Sequence, residues 1–135
     1  MVSKRLLVVL VGMLAGVSPA VAQGSLATRP VSIEQCLDAG DARMGVMREI
    51  IECYTDELSR KDRVLNSTYR SVRAGLVSAK KQELQSLERR WLALRDRKCK
   101  GEADKEGGQD GTVVWYGCLI GETDKRIEWL KGFAR

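Results

Sequence analysis

The sequence contains no histidine. Histidine is the side chain that most often serves as a general base or a metal ligand near neutral pH, so its absence excludes every Ser–His and Cys–His catalytic pair. The four cysteines include no Cys-x-x-Cys pair, which argues against a thioredoxin-like redox centre and against the closely spaced ligands of a structural zinc site. We therefore expect a protein that is not an enzyme and that has no metal or cofactor.

Aromatic residues are scarce, with one phenylalanine, three tryptophans and three tyrosines. Few side chains are thus present on which nucleic-acid bases can stack. The basic residues are also interleaved with acidic ones, as where Glu88 precedes Arg89 and Arg90, and such mixing is typical of a solvated helix face. We expect no nucleic-acid partner.

The N-terminus has the features of a secretion signal. Lys4 and Arg5 precede an uncharged apolar run, Leu6–Val17, and the small residues Ala20 and Ala22 flank Val21 as at a signal-peptidase site. The run is shorter than the roughly 20 residues of a membrane-spanning helix, so we favour cleavage over a retained anchor. This predicts a signal peptide over residues 1–22 and a periplasmic or secreted bacterial protein without stable membrane insertion.

The mature chain then divides into a flexible leader, residues 23–31, and one domain, residues 32–135. Removal of the signal takes away two basic residues and no acidic ones, so the formal net charge falls from +5 to +3. An even number of cysteines in a small exported chain predicts a disulfide framework. No cysteine follows the small residues of the signal, so we expect no lipid anchor there.

The pattern of apolar residues predicts an all-α fold. A short helical piece, Ser32–Ala39, precedes a long helix that begins at about Asp41 or Gly45 and ends at Arg73 or Ala74. Apolar residues at spacings of three, four or seven form its buried seam: Ile51, Tyr54, Leu58, Leu65, Val72 and Leu76.

Gly75, as a helix C-terminal glycine, and Ser78, as the N-cap of the next helix, predict the break between the first two long helices. The second helix runs over about Ala79–Lys98, a Gly-rich loop over Gly101–Gly111, and a third helix over about Thr112–Phe133. The first two helices should form a long antiparallel hairpin, against which the third, C-terminal helix closes a small disulfide-stapled bundle.

The hairpin constrains the cysteines. With its turn near residue 77, Cys53 and Cys99 lie level at the same end, and Cys36 and Cys118 are close enough along the chain to reach that end. Two pairings compete: Cys36–Cys53 with Cys99–Cys118, or Cys53–Cys99 with Cys36–Cys118. We favour the first, in which each bridge closes a local loop, although sequence alone does not fix connectivity.

Some polar residues occur beside the apolar seams. In the hairpin register Asp62 lies within a turn of Arg95, and an ion pair between them, with Asn66 or Tyr69 completing it, would fix the register of the two helices. In the alternative interpretation, Arg95 and Trp91 form a partner-binding hot spot. We favour the structural role, since Trp91 lies on the apolar seam.

Taken in order, these residues resemble the LprI-type family of small secreted domains, which is named after a lysozyme-inhibitor lipoprotein. The resemblance rests on the following elements: Cys53, Asp62-x-x-Leu65-Asn66-x-x-Tyr69, Trp91-x-x-x-Arg95-Asp96-x-x-Cys99, a Gly-rich segment, and Cys118 with Arg126 and Leu130. It implies an all-helical, disulfide-stapled envelope domain that inhibits lysozyme. The chain departs from the family in a longer spacing between Cys36 and Cys53.

The Gly-rich loop is the candidate contact surface, because a preformed loop loses little entropy on binding. Its four acidic residues would face a basic lysozyme surface: Glu102, Asp104, Glu106 and Asp110. In the alternative hypothesis the domain is an envelope interaction module, with a periplasmic complex or a secreted toxin as its partner and no effect on lysozyme.

Overall fold

A computed structural model describes residues 32–133, and all regular structure in that range is helical. The helices are α1 (Ile33–Leu37), α2 (Gly40–Arg43), α3 (Met47–Ala74), α4 (Ser78–Glu106) and α5 (Gly108–Phe133). The all-α prediction is thus confirmed. The expected signal peptide and leader, residues 1–31, lie outside the described residues.

Two short helices precede the long ones. The Ser32 hydroxyl caps α1 by accepting a hydrogen bond from the Gln35 backbone N–H at 3.3 Å. Gly45 has a φ of 81°, a conformation that other residues rarely adopt, and it separates α2 from α3. The first long helix therefore begins at Met47, slightly later than the sequence predicts.

The long helices α3, α4 and α5 run up, down and up through the bundle. The last of them, α5, packs against both α3 and α4, which approach each other less closely than either approaches α5. The hairpin predicted from sequence is therefore splayed, with α5 filling the space between its legs. The core consists of one buried cluster from all three helices, surrounded by half-buried apolar residues: Leu65, Leu84, Ile127 and Leu130, with Tyr69, Val72, Leu76, Trp91 and Phe133 around them.

The prediction of a loop over Gly101–Gly111 is wrong. Helix α4 continues to Glu106 and α5 begins at Gly108, so the chain reverses at Gly107. Ala, Lys and Glu between residues 102 and 106 are good helix formers, and the Lys100 ammonium bonds the Asp104 carboxylate at 2.7 Å across one helical turn. These local preferences outweigh the single interior glycine at residue 101.

Glycine is needed at the reversal for two reasons. Gly107 and Gly108 have φ angles of 72° and 54°, in the region that glycine adopts without steric cost. Gly111 is buried where α5 crosses the end of α4, and a Cβ atom added there would lie 2.7 Å from the Ala103 carbonyl oxygen. The turn thus brings two helix backbones into direct contact.

Both disulfides lie at the end of the bundle that holds this turn. Cys36 is bonded to Cys53 and Cys99 to Cys118, with Cα–Cα distances of 5.6 and 5.5 Å. The structure thus contains the favoured local pairing: one bridge holds α1 on α3, and the other joins α4 to α5. A loop of this length contributes about 3 kcal/mol through the entropy of the unfolded chain, which is a large share of the stability of a small domain.

We expect Gly111→Ala to lower the free energy of unfolding by about 1–3 kcal/mol, because the new methyl group must push the α4 backbone away. Urea unfolding followed by circular dichroism measures this loss.

The matched control is Gly101→Ala on α4, where an added Cβ meets no atom within 4 Å. This change should raise the free energy of unfolding by up to about 1 kcal/mol through helix propensity. Equal effects of the two substitutions would contradict the close contact at Gly111.

Candidate functional site

The motif residues of α3 line a groove between α3 and α4. The groove has a volume of about 370 Å³, and Asp62, Asn66 and Tyr69 face it from α3 while Arg95 borders it from α4. The Asp62 carboxylate lies 3.9 Å from the Arg95 guanidinium, too far for a hydrogen bond. The predicted Asp62–Arg95 pair is thus present only as a loose ion pair.

Arg95 has closer partners than the predicted one. Its guanidinium contacts the neighbouring Asp96 carboxylate at 2.9 Å and donates to the buried Thr123 hydroxyl on α5 at 3.3 Å. Its side chain is only 12% exposed. Arg95 therefore connects α4 to α5, which favours the structural interpretation of this motif over an exposed hot spot.

Arg126 forms a second polar contact between these helices. Its Nε donates to Glu88 Oε2 on α4 at 2.9 Å, while its Nη2 lies 2.8 Å from that oxygen without hydrogen-bond alignment. The guanidinium lies 3.7 Å from the Trp129 ring centroid and 5.3 Å from that of Trp91. With 8% exposure, Arg126 satisfies its charge through one carboxylate and two aromatic faces.

Two ion pairs tie α5 to its neighbours nearer the surface. The hydrogen bond from the Lys61 ammonium to Asp124, at 2.8 Å, raises the pKa of Lys61. Hydrogen bonds from Lys125 and then Lys98 lower the pKa of Glu122, with both ammonium groups at 2.8 Å. These shifts favour the charged forms of Lys61 and Glu122, so α5 is fixed on α3 and α4 by charge as well as by packing.

The acidic residues of the expected loop lie at the disulfide end of the bundle. The last two turns of α4 carry Glu102, Asp104 and Glu106, and Asp110 lies in the first turn of α5. These four acidic residues belong to helices, so the helical backbone sets their positions. The role of these residues as a contact surface stays a prediction.

Acidic residues from α1, α2 and α3 lie at this same end. Residues 34–57 contain seven acidic and two basic side chains; the acidic ones are Glu34, Asp38, Asp41, Glu49, Glu52, Asp56 and Glu57. We call residues 34–57 together with residues 102–110 the acidic end. Sequence reasoning identified only its second part, although the uneven distribution of charge along the chain was a visible signal for the first.

The acidic end also has a concave surface beside the reversal at Gly107. A pocket of about 490 Å³ is lined by Lys100 and Asp104 from α4 and by Trp115 and Tyr116 from α5. Aromatic side chains beside a few polar groups are typical of binding surfaces. The sequence analysis did not identify Trp115 as a candidate binding residue. It predicted a loop over Gly101–Gly111, and a loop there would not form the pocket between α4 and α5.

No group of acidic or cysteine side chains within residues 32–133 is arranged to hold a metal ion.

In the same range, none of the helices combines the length and the apolar character that crossing a bilayer requires.

Replacement of Arg126 by alanine should lower the free energy of unfolding by about 3 kcal/mol, because the buried Arg126 contacts would be lost and the half-buried Glu88 would be left without its partner. Chemical denaturation measures the change. The adjacent Lys125 is the control, since its side chain is 73% exposed and Lys125→Ala should cost at most about 1 kcal/mol. Similar losses in the two variants would show that the Arg126 contacts do not stabilise the bundle.

Comparison with known proteins agrees with the sequence motif. The family model described as "Lysozyme inhibitor LprI" matches residues 36–130, a segment that runs from the first cysteine to Leu130 in the core. No curated protein and no solved structure shows a significant match. The matched segment contains both disulfides, the α3–α4 groove and the Arg126 contacts, and it spans more than half of the sequence. The chain therefore belongs to the LprI family.

Proposed function

We propose that this protein is a secreted or periplasmic lysozyme inhibitor that protects peptidoglycan by binding lysozyme through its acidic end. Membership of the LprI family supports the class of function. The observation that supports the location is the concentration of acidic side chains at the end of the bundle that both disulfides stabilise.

Charge complementarity favours the acidic end as the contact surface. The net charge of the mature chain would be positive, which opposes long-range attraction to a basic enzyme. Apart from the buried Glu57, which pairs with Arg60 at 2.6 Å, residues 34–57 carry six acidic and two basic side chains, so attraction would operate locally and orient the encounter. Such complementarity acts mainly on the association rate.

The acidic end is also rigid, which lowers the cost of binding. Cys99–Cys118 joins α4 to α5 just before and after the reversal, and Gly111 packs directly on the α4 backbone. A surface held in its bound shape loses little conformational entropy on association. Trp115 and Tyr116, in the pocket beside Asp104, would supply the aromatic contacts that often dominate binding energy.

Inhibition on this proposal is steric. A histidine-free chain with no metal-binding cluster in residues 32–133 supplies binding surface rather than chemistry, so it would act by covering the cleft in which lysozyme holds the glycan strand. The complex should form with one inhibitor per enzyme, and its stability should depend on the disulfide-held shape.

The direct experiment is a titration of lysozyme-catalysed cell-wall lysis with the oxidised protein. We expect dose-dependent inhibition, and we expect a reduced and alkylated sample to inhibit much less, because the acidic end loses its shape. Absence of inhibition by folded protein at large molar excess would contradict the proposal and would favour the alternative of an envelope interaction module with another partner.

A charge variant tests the location of the contact. Glu106→Gln with Asp110→Asn removes two exposed charges at the acidic end, and we expect roughly tenfold slower association at low salt with little change in dissociation. The matched control is Glu83→Gln with Glu128→Gln, which removes two exposed charges far from that end. Equal association rates for the two variants, measured by surface plasmon resonance, would place the contact elsewhere.

A further inference from the structure

The opposite end of the bundle is basic. We define the basic tip as residues 70–85, which comprise the end of α3, the turn Gly75–Val77 and the first turns of α4. Four basic side chains lie here against one acidic side chain: Arg70, Arg73, Lys80 and Lys81 against Glu83. The charges of the molecule are therefore separated along its long axis, with the basic tip far from the acidic end.

Three of the basic side chains converge on one concavity. A pocket of about 350 Å³ lies between α3 and α4, and Arg70 and Arg73 line it from α3 while Lys81 lines it from α4. Tyr69 and Gln85 also border it and offer neutral hydrogen-bond donors. Among residues 32–133, no carboxylate lines the pocket, and its described lining is positively charged.

The cations of this pocket are not compensated within the described part of the chain. Glu83 pairs with Lys80 at 2.6 Å, whereas Arg70, Arg73 and Lys81 form no ion pair with any residue in 32–133. Arg70 and Arg73 are three residues apart on one helix face, where like charges repel. Lys81 lies in the first turn of α4, which contains no acidic residue and where the helix dipole disfavours a positive charge.

Arg70 and Arg73 are exposed and Lys81 is half-buried, so all three cations are accessible to an external anion. Arginine and lysine together are the usual protein donors to phosphate oxygens, with arginine giving bidentate contacts and lysine a point charge. The chemistry of these side chains thus indicates a phosphate ligand.

An exposed apolar residue beside the pocket identifies the source of that phosphate. Val77, in the turn between α3 and α4, is 71% exposed and lies between the cations of the two helices. An apolar side chain flanked along the chain by basic residues, here Arg73 and Lys80, matches the boundary between headgroups and acyl chains in an anionic membrane. We propose that the basic tip binds an anionic phospholipid, with its phosphate in the Arg70–Arg73–Lys81 pocket and Val77 in contact with the acyl-chain boundary.

Binding to this surface leaves the acidic end free. The basic tip and the acidic end lie at opposite ends of helices of 26 to 29 residues, which corresponds to roughly 40 Å at 1.5 Å per residue. A protein bound through its tip would therefore present the acidic end away from the membrane. This inference rests on the pocket and on Val77, and it does not depend on lysozyme binding.

Co-sedimentation with vesicles tests the proposal. The protein recovered from expressing bacteria, with its N-terminus determined by mass spectrometry, should bind phosphatidylglycerol vesicles and not phosphatidylcholine vesicles. Each cation near an anionic membrane strengthens binding roughly fivefold, so Arg70→Gln, Arg73→Gln and Lys81→Gln combined should weaken binding roughly 100-fold.

A charge-matched variant is the main control. Arg43→Gln, Arg97→Gln and Lys105→Gln remove the same net charge from exposed positions outside the tip, and binding should change by less than about threefold if location rather than net charge decides. Equal loss in the two triple variants would overturn the proposal. Circular dichroism of each variant confirms that the helical fold is retained.

Two further measurements separate a lipid from a free anion. Val77→Ser should weaken vesicle binding severalfold, while Met44→Ser, at an equally exposed apolar residue outside the tip, should leave it unchanged. Inorganic phosphate, titrated by NMR, should perturb the Arg70, Arg73 and Lys81 signals and compete with vesicles. Perturbation by phosphate without any binding to phosphatidylglycerol vesicles would overturn the assignment to a phospholipid.

Discussion

The packing of α5 between α3 and α4 is the constraint on which the rest of the structure depends. Its N-terminal turn contacts the α4 backbone at Gly111, and its middle receives the hydrogen bond from Arg95 at Thr123. Its C-terminal half supplies Ile127 and Leu130 to the core. Because α3 and α4 touch each other so little, their separation, the groove between them and the relative position of both bundle ends follow from where α5 lies.

Sequence reasoning succeeded where one local rule decides the structure. The end of α3 at Ala74 agrees with the prediction from apolar periodicity and Gly75, because a long amphipathic seam needs no tertiary information. The predicted N-cap at Ser78 is wrong, since α4 begins at Ser78 itself and Val77 is its N-cap residue. The error at residues 101–111 had a physical cause. Several glycines among acidic residues are typical of a loop, but the helix preference of residues 102–106 and the Lys100–Asp104 pair outweigh one interior glycine.

The partners of the polar motif residues were the least predictable part. The register correctly placed Asp62 near Arg95, yet the arginine side chain turns toward Asp96 and Thr123, a rotamer choice that depends on packing. Arg126 is buried between Trp91 and Trp129, and such a site requires aromatic faces from two helices whose distance no sequence pattern gives. The first part of the acidic end and the basic tip were also missed, because the net charge of the chain was considered rather than its distribution along the helices.

Both disulfides join cysteines that are consecutive along the chain, 17 and 19 residues apart. In a chain that crosses a membrane with its N-terminus first, Cys36 and Cys53 are both available before Cys99 emerges. An oxidant that joins cysteines in their order of appearance therefore makes the native bonds directly, and thiol–disulfide reshuffling is not needed. In such a chain, the native disulfides would form in the order in which the cysteines emerge, because each cysteine pairs with its neighbour along the chain.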